Sequence, residues 1–102
     1  MTAKLRWSIR EKDDDGFPKE DMRYAEVYAL KKSIKRTEFY ESMRAGIQVN
    51  LVLEVRQEDF TLSAHETERG TKYADSLEFE GTTYKIIRTY ETGKGKTEIV
   101  CS

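Results

Sequence analysis

Between Gln48 and Arg56 the chain alternates strictly, with Val49, Leu51, Leu53 and Val55 on one side and Gln48, Asn50, Glu54 and Arg56 on the other. A period of two is what a strand with one buried face requires, so this segment predicts a central strand. The same rhythm recurs elsewhere. Leu5, Trp7 and Ile9 alternate with Lys4, Arg6, Ser8 and Arg10. From Met22 to about Ile34, Ala25, Val27 and Ala29 share one face of a second, long strand, while Tyr24, Glu26, Tyr28 and Leu30 involve the other. Bulky side chains on that other face, Tyr24 and Tyr28, either cover the open end of the domain's own core or meet a neighbouring element or subunit.

The C-terminal third reads the same way. Ser76–Phe79 runs through Glu80-Gly81 into Thr82–Tyr90, a hairpin with glycine at its tight turn. Thr92-Gly93-Lys94-Gly95 turns the chain again, and Lys96–Cys101 supplies a last strand with Thr97, Ile99 and Cys101 on one side. The expected fold is therefore all-β in the main: a small antiparallel barrel or sandwich of about six strands. One short helix interrupts it in a connecting loop. Thr37 can cap that helix, Phe39 or Tyr40 falls four positions before Met43 or Arg44, and Gly46 can stop it.

Three connections are expected to be mobile, near residues 11–21, 35–47 and 57–75. The first contains Asp13-Asp14-Asp15-Gly16-Phe17-Pro18, where carboxylates, glycine and the only proline gather in one turn-forming cluster. Its acids are consecutive, whereas a calcium-binding EF-hand loop alternates its ligands between two helices, so a solvated loop is expected. The third, including His65–Lys72, is polar and long for so small a domain, a pattern typical of segments that are functional or become ordered on assembly.

Length and composition narrow the function. With 102 residues, 37% hydrophobic and 36% charged, the chain fits one domain spanning residues 1–102 with a thin core. The longest apolar stretch is broken by Asn50 and Glu54 and falls far short of the roughly 20 residues of a membrane-spanning helix. Lys4 and Arg6 lead into Trp7-Ser8-Ile9-Arg10 and not into the apolar run of a secretory signal, so the chain is expected to act where it is made. Eighteen Lys and Arg against nineteen Asp and Glu give a formal charge of -1, unlike a protein that grips nucleic acid over its whole surface. Local basic patches survive this balance, and Lys31, Lys32, Lys35 and Arg36 form one, read either as a solvated face or as a contact surface.

The sequence holds no recognisable catalytic constellation, cofactor motif or metal ligand set. Cys101 is the only cysteine and His65 the only histidine, which forbids an internal disulfide and a multi-cysteine zinc site. His65 reads as an ordinary polar loop residue and Cys101 as a buried or edge thiol. Gly93-Lys94-Gly95-Lys96 lacks phosphate-loop spacing and precedes a strand, not a helix. Trp7, Tyr28, Tyr84 and Tyr90 could stack the bases of a single strand, although aromatics spaced along strands are usually core. An enzyme is not expected.

The order of segments is distinctive. Gly16-Phe17-Pro18 closes an acidic turn; Ala25-Glu26-Val27-Tyr28-Ala29 precedes Arg36-Thr37-Glu38-Phe39-Tyr40-Glu41; a strong alternating strand follows, and then Phe79-Glu80-Gly81-Thr82-Thr83-Tyr84-Lys85-Ile86-Ile87. Together, over nearly the whole chain, these resemble the head-tail joining proteins of tailed phages, also called head-closure or head-completion proteins. The resemblance implies a β-barrel that assembles as a homo-oligomeric ring under the portal and its adaptor (connector) protein. Such a ring closes the DNA exit channel after packaging and offers a docking surface to the tail terminator or tail tube. It implies a place in the virion, at the head-tail interface, for a protein made in the bacterial host cytoplasm, with packaged double-stranded DNA as a non-specific contact and no membrane partner. Carried onto this sequence, Lys35–Ile47 corresponds to the loop and short helix near the channel or the subunit interface. The candidate residues of that DNA-facing or interface loop are Lys31, Lys32, Lys35, Arg36, Thr37, Glu38, Phe39, Tyr40 and Arg44. A tail terminator or other tail-completion protein and a nucleic-acid-binding β-barrel module are the alternatives.

Overall fold

The structure is a computed structural model that describes residues 1–12, 14–35, 41 and 43–102. The expectations placed on Asp13 and on Arg36, Thr37, Glu38, Phe39 and Tyr40 lie outside the described residues.

The alternating segments form antiparallel strands. Strand β1 (Thr2–Lys12) pairs with β2 (Pro18–Tyr28) over its full length, and β3 (Leu30–Lys32) pairs with β4 (Leu51–Arg56). Later come β5 (His65–Thr67), β6 (Gly70–Lys72), β7 (Ser76–Phe79), β8 (Thr82–Glu91) and β9 (Lys96–Cys101). Seven of them make one sheet in the order β2-β1-β7-β8-β9-β4-β3, and β5 and β6 form a separate small hairpin.

The two outermost strands of the large sheet, β2 and β3, are separated in sequence by Ala29 alone. One stretch of backbone therefore supplies both edges, and the sheet must curl until those edges meet at Ala29. Ala29 is buried there, and its N–H donates to the Met1 carbonyl at 2.9 Å. Strand β8 makes a second corner. Its first half, through Lys85, pairs with β7, and from Ile86 onward it pairs with β9. A register shift between Ile86 and Arg88 leaves Ile87 as an extra residue, the kind of bulge that bends a strand and increases its twist.

Curling puts one face of every long strand inside. Leu5, Val27, Leu53, Leu77, Ile99 and Cys101 meet in the main core, with Trp7, Leu51, Val55 and Phe79 around them. Each fully buried aliphatic side chain of this kind contributes about 1.5–3 kcal/mol through removal of apolar area from water. A smaller cluster on the opposite face of β4 and β9 holds Val49, Val52 and Val100, with Ile34 and Ile87 packed against it. Val49, expected on the side of Leu51, belongs to this second cluster.

Among the described residues there are nine strands where about six were expected. The long second strand divides at Ala29, and the segment after β4, expected as a loop over 57–75, carries helix α1 (Gln57–Phe60), a 3₁₀ turn (Thr61–Ser63) and the β5–β6 hairpin. Phe60 enters the main core and stacks on Tyr73 at 5.4 Å. Buried Ser63 fixes the segment, since its hydroxyl donates to the Phe60 carbonyl at 2.8 Å and accepts from the Ala74 N–H at 2.9 Å. The first connection is likewise shorter than the expected 11–21, because β1 continues to Lys12 and β2 begins at Pro18. In the second connection, Glu41, Met43 and Arg44 are helical and Gly46, at φ 74°, follows them.

Candidate functional site

Strand β3 carries the first two candidate lysines to an edge of the sheet. Side chains paired across neighbouring strands share a face, so the register defines two rows on the outer surface. Leu30, Glu54, Glu98 and Tyr90 form one, and Lys32, Val52, Val100 and Arg88 form the next. Val100 is buried, whereas Leu30 and Tyr90 are exposed.

Along these rows lies an open groove of about 670 Å³. Lys31, Lys32 and Lys35 line it together with apolar Leu30, Tyr90 and Val100, and Glu98 is its one lining acid among the described residues. The Lys32 ammonium stands 3.8 Å from the Glu54 carboxylate. Among the described residues no ion pair engages Lys31 or Lys35. Lys31 pairs with Leu53 and so belongs to the other face of β3, which leaves Lys35 and the Lys32–Glu54 pair beside Glu98 and the apolar Leu30, Tyr90 and Val100 on the groove side.

Three of the nine candidate residues, Lys31, Lys32 and Lys35, share this groove. Arg44 is exposed in the helical turn before Gly46. Arg36, Thr37, Glu38, Phe39 and Tyr40 lie outside the described residues. Leu30, Glu98 and Val100 were not singled out from sequence as site residues. Leu30 adjoins Lys31 on β3, whereas the membership of Glu98 and Val100 depends on the β3-β4-β9-β8 pairing, which joins segments far apart in the chain.

The four aromatics considered for base stacking separate into two pairs. Trp7 is buried and Tyr84 packs against the main core, while Tyr28 and Tyr90 are exposed. Tyr24 and Tyr28 do not cover the domain's own core. They stand on the outer face, opposite Arg6 and Thr2 in the register, and Tyr24 lies under the Lys4 and Arg6 side chains at 5.9 and 5.6 Å from its ring centre. Tyr28 is 75% exposed.

The reactive side chains have structural surroundings. Cys101 is fully buried on β9, and burial pushes its thiol up to about 12, so it is protonated and inert at neutral pH. His65 is half-buried on β5, where its ring stacks on Trp7 at 6.3 Å and its Nδ1–H donates to the Ser63 carbonyl at 2.9 Å. It is thus a packing residue over the core's main aromatic. Among the described residues no three His, Cys, Asp or Glu side chains form a group able to hold a metal ion. The Gly93–Gly95 turn joins β8 to β9 with no helix behind it.

A second feature lies at the far end of the molecule. Strand β7 pairs with β1 over Ala3–Arg6, so among the described residues the outer parts of β1 and β2 pair solely with each other and extend as a two-stranded arm. The molecule is correspondingly long, 51 × 29 × 28 Å. At the tip are Asp14, Asp15 and Gly16, followed by Phe17, which is 66% exposed.

No protein-family model matches this chain, and no curated protein matches it.

Proposed function

We propose that this chain is a structural protein of the head-tail joint of a tailed phage or prophage. In this role it forms a ring under the portal and its adaptor, closes the DNA channel after packaging and receives the tail. The observation that carries the reading is the ordered resemblance of its segments, from the Gly16-Phe17-Pro18 turn to the Phe79–Ile87 hairpin, laid out on a curled antiparallel sheet. The groove adds a physical rationale. A near-neutral domain that concentrates lysines in one open site can make local contacts to phosphates or to acidic side chains without binding nucleic acid over its whole surface. A closed ring also needs two different mating faces on each subunit.

The test is addition of the purified full-length chain to DNA-filled, tailless heads. Retention of the packaged DNA and acceptance of tails support head closure. Heads that stay leaky, together with rescue of overlong tails, assign the chain to tail completion. Salt-sensitive binding of free oligonucleotides with no effect on heads assigns it to a nucleic-acid-binding module.

A further inference from the structure

Strand β2 is one of the two outermost strands of the sheet, and its strand partner is β1. It has 11 residues, against the three of β3 at the other edge. The β1–β2 register runs unbroken from Pro18 to Tyr28, without the bulge that turns many edges away from further pairing. Glu20, Met22 and Tyr24 are exposed on one face of β2, and Asp21 and Arg23, on the other, join each other at 3.1 Å near the surface. A long regular edge accepts a further strand: main-chain hydrogen bonds supply the attraction, and side chains choose the register.

A second β2 strand fits this edge best in one antiparallel register. Residues directly opposite share a face, so the register is set by the residue on the two-fold axis. Centred on Arg23, the pairing opposes Arg23 to itself and Glu20 to Glu26; centred on Asp21, it opposes Asp21 to itself and Lys19 to Arg23. Centred on Tyr24, it brings no opposite charges together and sets Asp21 against Val27, which is buried. Centred on Met22, it sets Asp21 against Arg23 on both sides of the axis, with Met22 against Met22 and no like charges opposed. Each Asp21–Arg23 pair keeps its own partner and gains those of the second copy, so four charges alternate around the axis. On the other face Glu20 of the second copy comes beside the Tyr24 ring that Lys4 and Arg6 cover.

We infer that β2 pairs antiparallel with β2 of a second copy of this chain over residues 19–25, about a two-fold axis at Met22. The contact is isologous and closes at two copies, whereas a ring is built from heterologous contacts. It therefore goes beyond the head-tail reading and does not rest on it. One added strand pair buries little surface, which places the contact among small, weak interfaces that form at high protein concentration.

The test uses the full chain. Sedimentation equilibrium up to submillimolar concentration should show monomer and dimer in exchange. Asp21→Arg and Arg23→Asp should each raise the dimer dissociation constant about tenfold or more, because each opposes like charges on both sides of the axis. Mixed in equal amounts, the two variants should dimerise again, since every charge at these positions in the mixed pair faces its opposite. Amide spectra check that each variant is folded. In a second measurement Met22→Cys should give a disulfide-linked dimer under mild oxidation, because its two thiols stand directly opposite each other. Cys101 is buried and protonated at neutral pH, so it does not compete. Tyr24→Cys should not cross-link, its two copies lying about 13 Å apart along the strands at roughly 3.3 Å per residue. A chain that stays monomeric, a dimer that survives both charge reversals, or Tyr24→Cys cross-linking as readily as Met22→Cys overturns the inference. If it falls while the chain still seals tailless heads, the head-closure reading stands; a dimer of a chain that leaves heads leaky gives the reverse.

Discussion

Lys32 reaches diagonally across the β3–β4 pair to Glu54, with 3.8 Å between ammonium and carboxylate, and Glu54 in turn sits directly opposite Glu98 in the β4–β9 register. Like charges directly opposed on a sheet destabilise it, and Lys32 offsets that repulsion at the rim of the groove. The pair is partly exposed, so its worth is about 0.2–1 kcal/mol and falls with salt. Lys32→Ala should lower stability to urea by up to ~1 kcal/mol at low ionic strength. Glu54→Gln in the same background should recover part of that loss. Equal stability of the native chain and Lys32→Ala at low salt would contradict the arrangement.

Leu53 is the centre of the core face predicted from alternation, fully buried on β4 and opposite Ile99. Leu53→Ala should cost about 2–5 kcal/mol in denaturant titrations, through lost burial and the cavity left behind. Leu53→Asp should leave no folded population by circular dichroism, because it places an unpaired charge in the core. A folded Leu53→Asp protein would mean that the buried face has been misassigned.

The two-residue turn between β7 and β8 places both Glu80 and Gly81 at positive φ, 51° and 79°. That geometry matches the twist of the flanking strands, yet only the second position has the residue it favours. Replacing Glu80 by Asn, which tolerates the left-handed region better, should raise stability by about 0.5–1 kcal/mol. Thermal unfolding of Glu80→Asn provides the check, and a lower midpoint would argue against the turn.

The Cys101 thiol gives a pH signature. Burial raises it from 9.0 to about 12, so between those values the folded chain keeps a proton that the unfolded chain releases. Its contribution to stability is complete below about pH 9 and is lost as pH rises toward 12. The slope from this one group is at most ~1.4 kcal/mol per pH unit. Cys101→Ala should therefore be less stable near neutrality, where it leaves a small cavity, and should lose stability less steeply in alkali. Parallel alkaline limbs for the two proteins would contradict the assignment.

Local pattern revealed most of the fold because the core is built from period-two segments. Leu5 and Trp7, Leu51, Leu53 and Val55, and Ile99 with Cys101 all point inward as their alternation implies. The division at Ala29 was hidden because Ala25, Val27 and Ala29 keep alternating through the corner. Val49 misled for a related reason: it precedes the start of β4 and joins the outer cluster. Helix α1 has four residues and no side-chain cap, too short for a helical period to register. The lysines of the groove were visible as a sequence cluster, whereas Tyr90, Glu98 and Val100 join them only through pairing across four strands. Tyr24 and Tyr28 left both faces open until the register placed them outside, Tyr24 beside Lys4 and Arg6 and Tyr28 opposite Thr2.

The most direct test of the proposed role is electron microscopy of a lysate from the parent phage or prophage with this gene deleted. Head closure predicts finished tails lying beside separate, leaky or emptied heads, and rebinding of labelled protein to those heads. Normal virions, or intact heads bearing overlong tails, would contradict it.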